Sequence, residues 1–389
     1  MNIPRLFAIL TFGAASIQPV AAFSGPGHEF IGALAEDLLA ARTKSPDKTE
    51  AARAAAALAA AQRLLGNLPF ASAATIPDDI RDWDPPTGRF HSNPDELVKL
   101  KGWPAGLAGM IKAYYAKNLD RASGRDHHNY HFTDIAIAPG ADLTYALGKV
   151  GTNQYDIVQT LRYCEACLKG PVADDGRGIT PAMALVLLIH FTGDLHQPLH
   201  VGSEYFRPDG TPVVPTQADL DQHLVFGDMG GNDLDVPPSI SPFAYNRSGN
   251  LHHAWDFDIP ARAFAAWEKS LGAKSQNSVE LAALLADPKF EPTLWQPKAK
   301  TSGGVAAAPW EAWATEILPL AQQAHDHFRV PFPPVGAAAG KGAPARSFHG
   351  TAVLKDSSED YDGWAAPFAQ RQLLLAGWRL AWVIENSLK

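Results

Sequence analysis

Residues 181–196, PAMALVLLIHFTGDLH, put apolar side chains on nearly every face of one helix. A helix of that kind has no solvent-facing side and belongs at the centre of a bundle. Pro198 closes it, because proline supplies no backbone N–H and its ring obstructs the preceding turn. Within the stretch, His190 and Asp194 stand four residues apart, on one helix face. A buried carboxylate without a partner is costly. A metal ion would neutralise Asp194, and so would a hydrogen-bonded His–Asp pair inside the core; the stretch by itself leaves both readings open.

Around this helix the periodicity is mostly helical. Residues 28–41 repeat apolar side chains at Ile31, Leu34, Leu38 and Leu39. Further helical patterns cover the alanine-rich 50–66, a short stretch near 105–117, 308–328 and 366–387, and Asn250 is placed to cap a helix beginning at 252. Strand alternation is scarce. Hydrophobic residues make up 46% of the chain, enough for a substantial core. The expected fold is mostly α, a compact multi-helix bundle around a buried central helix, with long loop insertions near 82–125, 201–230 and 331–348 and a further irregular stretch at 288–308.

A length of 389 residues would allow two or three domains, but the motifs below run in order through 23–389 and favour one catalytic domain. Residues 1–22 read as a signal peptide: Arg5, an apolar run from Leu6 to Ile17, then Val20-Ala21-Ala22 as a small-residue cleavage site. Gly13 and Pro19 break the run, which is too short for a good membrane span; an uncleaved anchor or a loose tail is the other reading. Cleavage after Ala22 would expose Phe23, leave no membrane anchor and send the chain to a secreted or periplasmic location. No stable protein partner is implied.

The formal net charge of −8 argues against a protein that coats duplex nucleic acid, since phosphate neutralisation favours basic surfaces. Bound cations can still give an acidic chain a locally positive site. The only cysteines, Cys164 and Cys167, lack the second pair that a zinc site of this type needs, and read as a local disulfide or inert thiols. Histidines are plentiful, at 14, and several stand near aspartates. His252 and Asp256 repeat the four-residue spacing, His200 follows Pro198, His131 lies in Tyr130-His131-Phe132-Thr133-Asp134, and Asp78 precedes Arg81 in a short polar segment. Imidazole and carboxylate are the ligand set of catalytic zinc, which keeps an open position and stays Lewis acidic.

Taken in order, Phe23-Ser24-Gly25-Pro26-Gly27-His28, the Asp78 and His131 segments, HFTGDLHQPLH at 190–200, Gly230-Gly231-Asn232-Asp233, Asn250-Leu251-His252-His253-Ala254-Trp255-Asp256 and Arg379-Leu380-Ala381 make the chain resemble the zinc-dependent S1/P1 nuclease family. The resemblance implies three zinc ions. Asp78, His131, His190 and Asp194 would hold one. The α-amino nitrogen and carbonyl oxygen of Phe23, with His28 and Asp194, would hold a second, so that Asp194 bridges the pair. His200, His252 and Asp256 would hold the third. His196 matches no ligand and is expected to orient the site or cap the helix end; His253 is expected to be an exposed neighbour.

By the same resemblance Asp78 would orient the nucleophile or take its proton, and Arg81 would contact the phosphate. Phe132 and Asp134 would bind a base, and Asn232 would help to close that pocket. Without the resemblance, Arg81 also reads as a surface cation beside Asp79 or Asp82, and Phe132 as core packing. Phe23 stands where the family has Trp, and Ile76-Pro77 where it has Trp-Ala. The implied function is zinc-dependent hydrolysis of single-stranded DNA and RNA to 5′-phosphate products, with 3′-nucleotidase activity. Zinc-dependent phospholipase C and phosphomonoesterase are the alternatives on the same fold. The first typically has Glu in place of Asp256 and lacks the Gly-Gly-Asn block. A zinc-storage protein would have no need of Phe132, Asp134 and Arg81 beside its metals.

Overall fold

A computed structural model describes residues 23–81, 105–241, 249–272, 277–296, 300–302, 305–331 and 350–388; the signal-peptide expectation for 1–22, much of the insertion near 82–125 and nearly all of 331–348 lie outside them. The helices are α1 (Gly25–Arg42), α2 (Lys48–Leu65), α3 (Phe70–Ala74), α4 (Ile76–Arg81), α5 (Ala105–Lys117), α6 (Ile157–Lys169) and α7 (Pro181–His196), followed by α8 (Gln217–Asp221), α9 (Leu251–His253), α10 (Ile259–Leu271), α11 (Ser278–Leu285), α12 (Trp310–Asp326) and α13 (Tyr361–Ser387). The mostly-α expectation holds.

The helix starts follow from side-chain capping. Asp47, Asp156, Thr180 and Asn250 each accept from a backbone N–H in the first turn of α2, α6, α7 and α9, and Pro181 occupies the first turn of α7, where no N–H is needed. The last helix begins at Tyr361 rather than 366, because Asp360 caps it through Gly363 N–H and the turns run on through Pro367. α9 does not continue as a regular helix: it widens into a π turn over Ala254–Asp258 before α10.

α7 is the centre. Every residue from Met183 to His196 is buried, and α1, α2, α3, α6 and α13 pack around it. At the periphery of the bundle, the buried Glu385 of α13 receives Arg42 and Arg53 at 2.6 Å each, tying α1 and α2 to the last helix. Cys164 and Cys167 are buried on α6 and are not joined to each other, as the thiol reading of the pair expects.

Strands among the described residues are short and paired in twos. One pair bears on function. Ile135–Ala136 runs parallel to Gly202–Ser203, with Thr133 N–H donating to His200 O at 2.9 Å and Ile135 N–H to Val201 O at 3.1 Å. The segments leaving His131 and His200 therefore travel side by side.

Close helix packing makes one glycine indispensable. A Cβ on Gly32 of α1 would lie 2.7 Å from the carbonyl oxygen of Phe70. That end of α3 cannot retreat freely, because Phe70 N–H is held by Glu36 Oε2 at 2.9 Å. Gly32→Ala should therefore destabilise the fold by about 1–3 kcal/mol through overpacking, in spite of the gain in helix propensity. Urea denaturation tests this; an unchanged or higher midpoint would show that α1 and α3 can separate without cost.

Candidate metal centre

Two side-chain clusters meet at the C-terminal end of α7. The first is built on Asp194, which is 2% exposed. Its Oδ2 lies 2.9 Å from His131 Nδ1 and 3.1 Å from His190 Nε2, while its Oδ1 lies 3.2 Å from His28 Nε2. Asp78, from α4, completes one side: its Oδ1 is 3.7 Å from His190 Nε2 and 3.9 Å from His131 Nδ1. The two oxygens of Asp194 thus face different histidines. Gly193 makes room for this arrangement, since a Cβ there would stand 2.8 Å from His28 Nδ1. The His28 and His190 rings stack at 3.8 Å.

The second cluster joins His200, from the 3-10 turn Pro198–His200, to His252 of α9 and Asp256 in the π turn. His200 Nε2 lies 3.7 Å from Asp256 Oδ1, and His252 Nε2 lies 3.4 Å from Asp256 Oδ2. Gln197, buried at the end of α7, donates Nε2–H to Asp256 Oδ1 at 3.0 Å and accepts Leu199 N–H on its Oε1. Sequence reasoning assigned Gln197 no role, although it lies within the quoted motif; its partner is 59 residues away.

Backbone acceptors fix the histidine tautomers. His190 Nδ1–H donates to Ala74 O at 2.6 Å, His200 Nδ1–H to His131 O at 2.9 Å, and His252 Nδ1–H to Gly230 O at 2.8 Å. With the proton on Nδ1, each Nε2 presents a lone pair, and each lone pair faces a carboxylate. Lone pair against carboxylate is repulsive unless a cation lies between them. A proton or a metal ion can serve, and the charges of the side chains themselves show the demand. Burial would push the His200 imidazole down, but Asp194 and Asp256 lift it to about 9. Burial would likewise raise Asp194, yet His190 and then His200 hold it well below the usual carboxylate range. All-N/O donors, and the second ring-nitrogen hydrogen bonds of His190, His200 and His252, fit a divalent ion such as zinc.

The other expected site residues lie around these clusters. Phe23 is buried, and its backbone N–H donates to Asp256 O at 3.0 Å. Phe132 is half-buried immediately after the turn that carries His131. Asp134 is half-buried; its Oδ1 accepts Ser203 Oγ–H at 2.6 Å, and burial raises its carboxyl to about 6. Asn232 is exposed, with its amide turned back onto Met229 O at 2.9 Å. Arg81 ends α4, but its side chain lies outside the described residues. His196 touches none of the cluster side chains through its ring nitrogens: Nδ1–H donates to Thr192 O at 2.6 Å and Nε2 accepts from Arg379 at 3.0 Å, so both ring nitrogens are engaged. His253 is less open than expected. It is half-buried, stacked on Phe257 at 4.5 Å and 3.1 Å from Ser241 Oγ.

A further grouping of Asp126, His127 and His128 was not anticipated. Arg121 Nε–H already reaches Asp126 Oδ2 at 2.8 Å, and His127 Nδ1–H donates to Asn118 O at 2.9 Å. A guanidinium therefore supplies the counter-charge that a metal would otherwise provide.

Comparison with known proteins agrees with the geometry. Endonuclease 5 of Arabidopsis thaliana is 28% identical over 171 residues, covering 43% of this chain and 41% of its own. Endonuclease 4 of the same plant is 38% identical over 73 residues, 19% of this chain and 15% of its own. Nuclease S1 of Aspergillus oryzae (strain ATCC 42149 / RIB 40) is 27% identical over 146 residues, 36% of this chain and 38% of its own. The matched stretches thus span about two fifths or less of these relatives. The profile described as S1/P1 Nuclease matches residues 23–389. A match of that extent, with the His and Asp clusters assembled around one buried helix, places the chain in the S1/P1 nuclease family.

Proposed function

We propose that this protein is an exported zinc nuclease, cleaved after Ala22, that hydrolyses phosphodiester bonds of single-stranded DNA and RNA to 5′-phosphate products and acts on 3′-nucleotides. The carrying observation is Asp194, whose two oxygens face separate sets of histidines at 2.9–3.2 Å on a helix with no other charge. Asp78, His131, His190 and Asp194 would hold one ion. His28, Asp194 and the amine and carbonyl of Phe23 would hold a second, and His200, His252 and Asp256 a third. Bound zinc supplies Lewis acidity and brings the pKa of water toward neutrality.

The chain's own groups set the rest. Asp78 is the most open of the carboxylates, at 30% exposure, and can orient an attacking water or accept its proton. Gln197 holds Asp256 by one oxygen and so fixes the angle at which the carboxylate faces His200 and His252. Phe132 offers a ring beside His131 for stacking on a base. With Oδ1 occupied by Ser203, Asp134 has Oδ2 left for a base edge. Stacking needs an unpaired base, which favours single strands. Arg81 on α4 follows Asp78 by three residues and is assigned to the phosphate.

The deciding experiment assays purified mature protein on single-stranded DNA, RNA, 3′-AMP and phosphatidylcholine, with and without chelator. Chelator-sensitive cleavage of the first three supports the proposal; hydrolysis of phosphatidylcholine alone would replace it with a phospholipase reading. Asp194→Asn should remove more than one zinc per chain and cost more activity than any other single ligand change. Elemental analysis showing loss of one ion or none would argue against the bridge. Phe132→Ala should slow cleavage of nucleotides by about 5- to 150-fold, from ~1–3 kcal/mol for one stacked base. A small phosphodiester without a base should suffer less, and zinc content should stay constant. Equal losses on both substrates would make Phe132 a packing residue.

A further inference from the structure

The insertion after His200 ends in a run that touches the second cluster without supplying a ligand. Met229, Gly230 and Gly231 all have positive φ, at 56°, 61° and 79°. Three successive residues in that region do not hold themselves, least of all with a methionine among them; the surroundings must fix them. Gly230 is pressed so close to the 3-10 turn that a Cβ would lie 2.2 Å from Leu199 O. Its carbonyl accepts His252 Nδ1–H at 2.8 Å, and its N–H donates to Ser203 Oγ at 2.7 Å. Ser203 in turn donates to Asp134 Oδ1 at 2.6 Å. One loop therefore holds a candidate metal ligand on one side and a candidate base-binding group on the other.

The anchor of that loop is Asp228, which is 0% exposed. Its backbone N–H donates to Glu204 O at 2.9 Å, and its Oδ1 accepts Glu204 N–H at 3.1 Å. Its Oδ2 receives His325 Nε2–H from α12 at 2.7 Å. His325 is itself buried, and its Nδ1–H donates to Ala321 O at 2.9 Å. Both ring nitrogens face acceptors, so both carry protons and the ring is an imidazolium. Burial opposes that charge, but Asp228, with Glu204 nearby, lifts the group to about 9. The family resemblance assigned neither residue a role.

We propose that His325 and Asp228 form a buried positioning pair that, through the Gly230 carbonyl, fixes the tautomer and orientation of His252 and so sets the metal affinity of the His200–His252–Asp256 cluster. The inference rests on the metal reading given above. Its logic is that of outer-shell partners of ligating histidines, whose loss typically weakens metal binding by about 10- to 100-fold. Here the partner is a backbone carbonyl, and what holds that carbonyl is an ion pair to a helix distant in sequence.

The test is a zinc titration of the metal-free full chain against a chromophoric chelator. His325→Leu should weaken one binding step by about 10- to 100-fold, the same step that His252→Ala removes. His325→Gln keeps a side-chain donor and should weaken that step less. Adding His325→Leu to His252→Ala should change nothing further. If His325→Leu does not fold by circular dichroism, His325→Gln and Asp228→Asn carry the comparison, each expected to move the same step. Unaltered titration in the folded variants, or equal weakening of every step, would overturn the inference alone. Failure of the unmodified chain to take up zinc would overturn the metal reading, and this inference with it.

Discussion

A carboxylate at the end of a fully buried helix is the constraint on which this molecule turns. Asp194 cannot stay charged among Leu195, Phe191 and the flanks of α1 without positive charge on both of its oxygens. His28 and His131 are brought to it from two other segments, while His190 stands one turn before it on α7 itself, and each approach shapes the fold around it. α1 must come within ring-stacking distance of α7, which requires Gly193. α3 must end where Ala74 O can accept the hydrogen bond from His190 Nδ1–H. The 3-10 turn carrying His131 must lie across the same helix end. The core is therefore organised around a polar demand, and the apolar packing is arranged so as to meet it.

The second cluster depends on the first through the chain itself. Only the turn closed by Pro198 separates Asp194 from His200, and His200 Nδ1–H donates a hydrogen bond to the carbonyl of His131, a residue of the first cluster. The parallel strand pair that follows keeps the two exits aligned. Displacement of either cluster would be felt at the other through these short, buried bonds.

Much of this was legible in the sequence because it is local. The spacing of His190 to Asp194 and of His252 to Asp256, the all-round apolarity of 181–196 and the stop at Pro198 are properties of single turns. They survive whatever packs around them. The pairing of Gln197 with Asp256 and of His325 with Asp228 spans 59 and 97 residues, and nothing in either segment alone announces it. The π turn at Ala254–Asp258 was also hidden, since its sequence reads as an ordinary helix start. α13 starts earlier than the helical pattern at 366–387, because Asp360 supplies the cap well before Pro367 and the turns run on through it. The exposure of Asn232 and the partial burial of His253 depend on how loops fold back, which residue type alone does not reveal.

The dispersal of the clustered residues has a kinetic side. His28 lies on the first described helix, while His252 and Asp256 follow α8, so most of the chain must emerge and fold before the clusters can close. Contacts of such long sequence separation form late, after the entropy of closing large loops has been met. Until then α7 is an apolar segment whose terminal acid has only His190, one turn back on the same helix, to answer it. While those contacts are unmade, the apolar faces of α7 have no bundle to bury them, and transiently exposed apolar surface is where aggregation competes with folding.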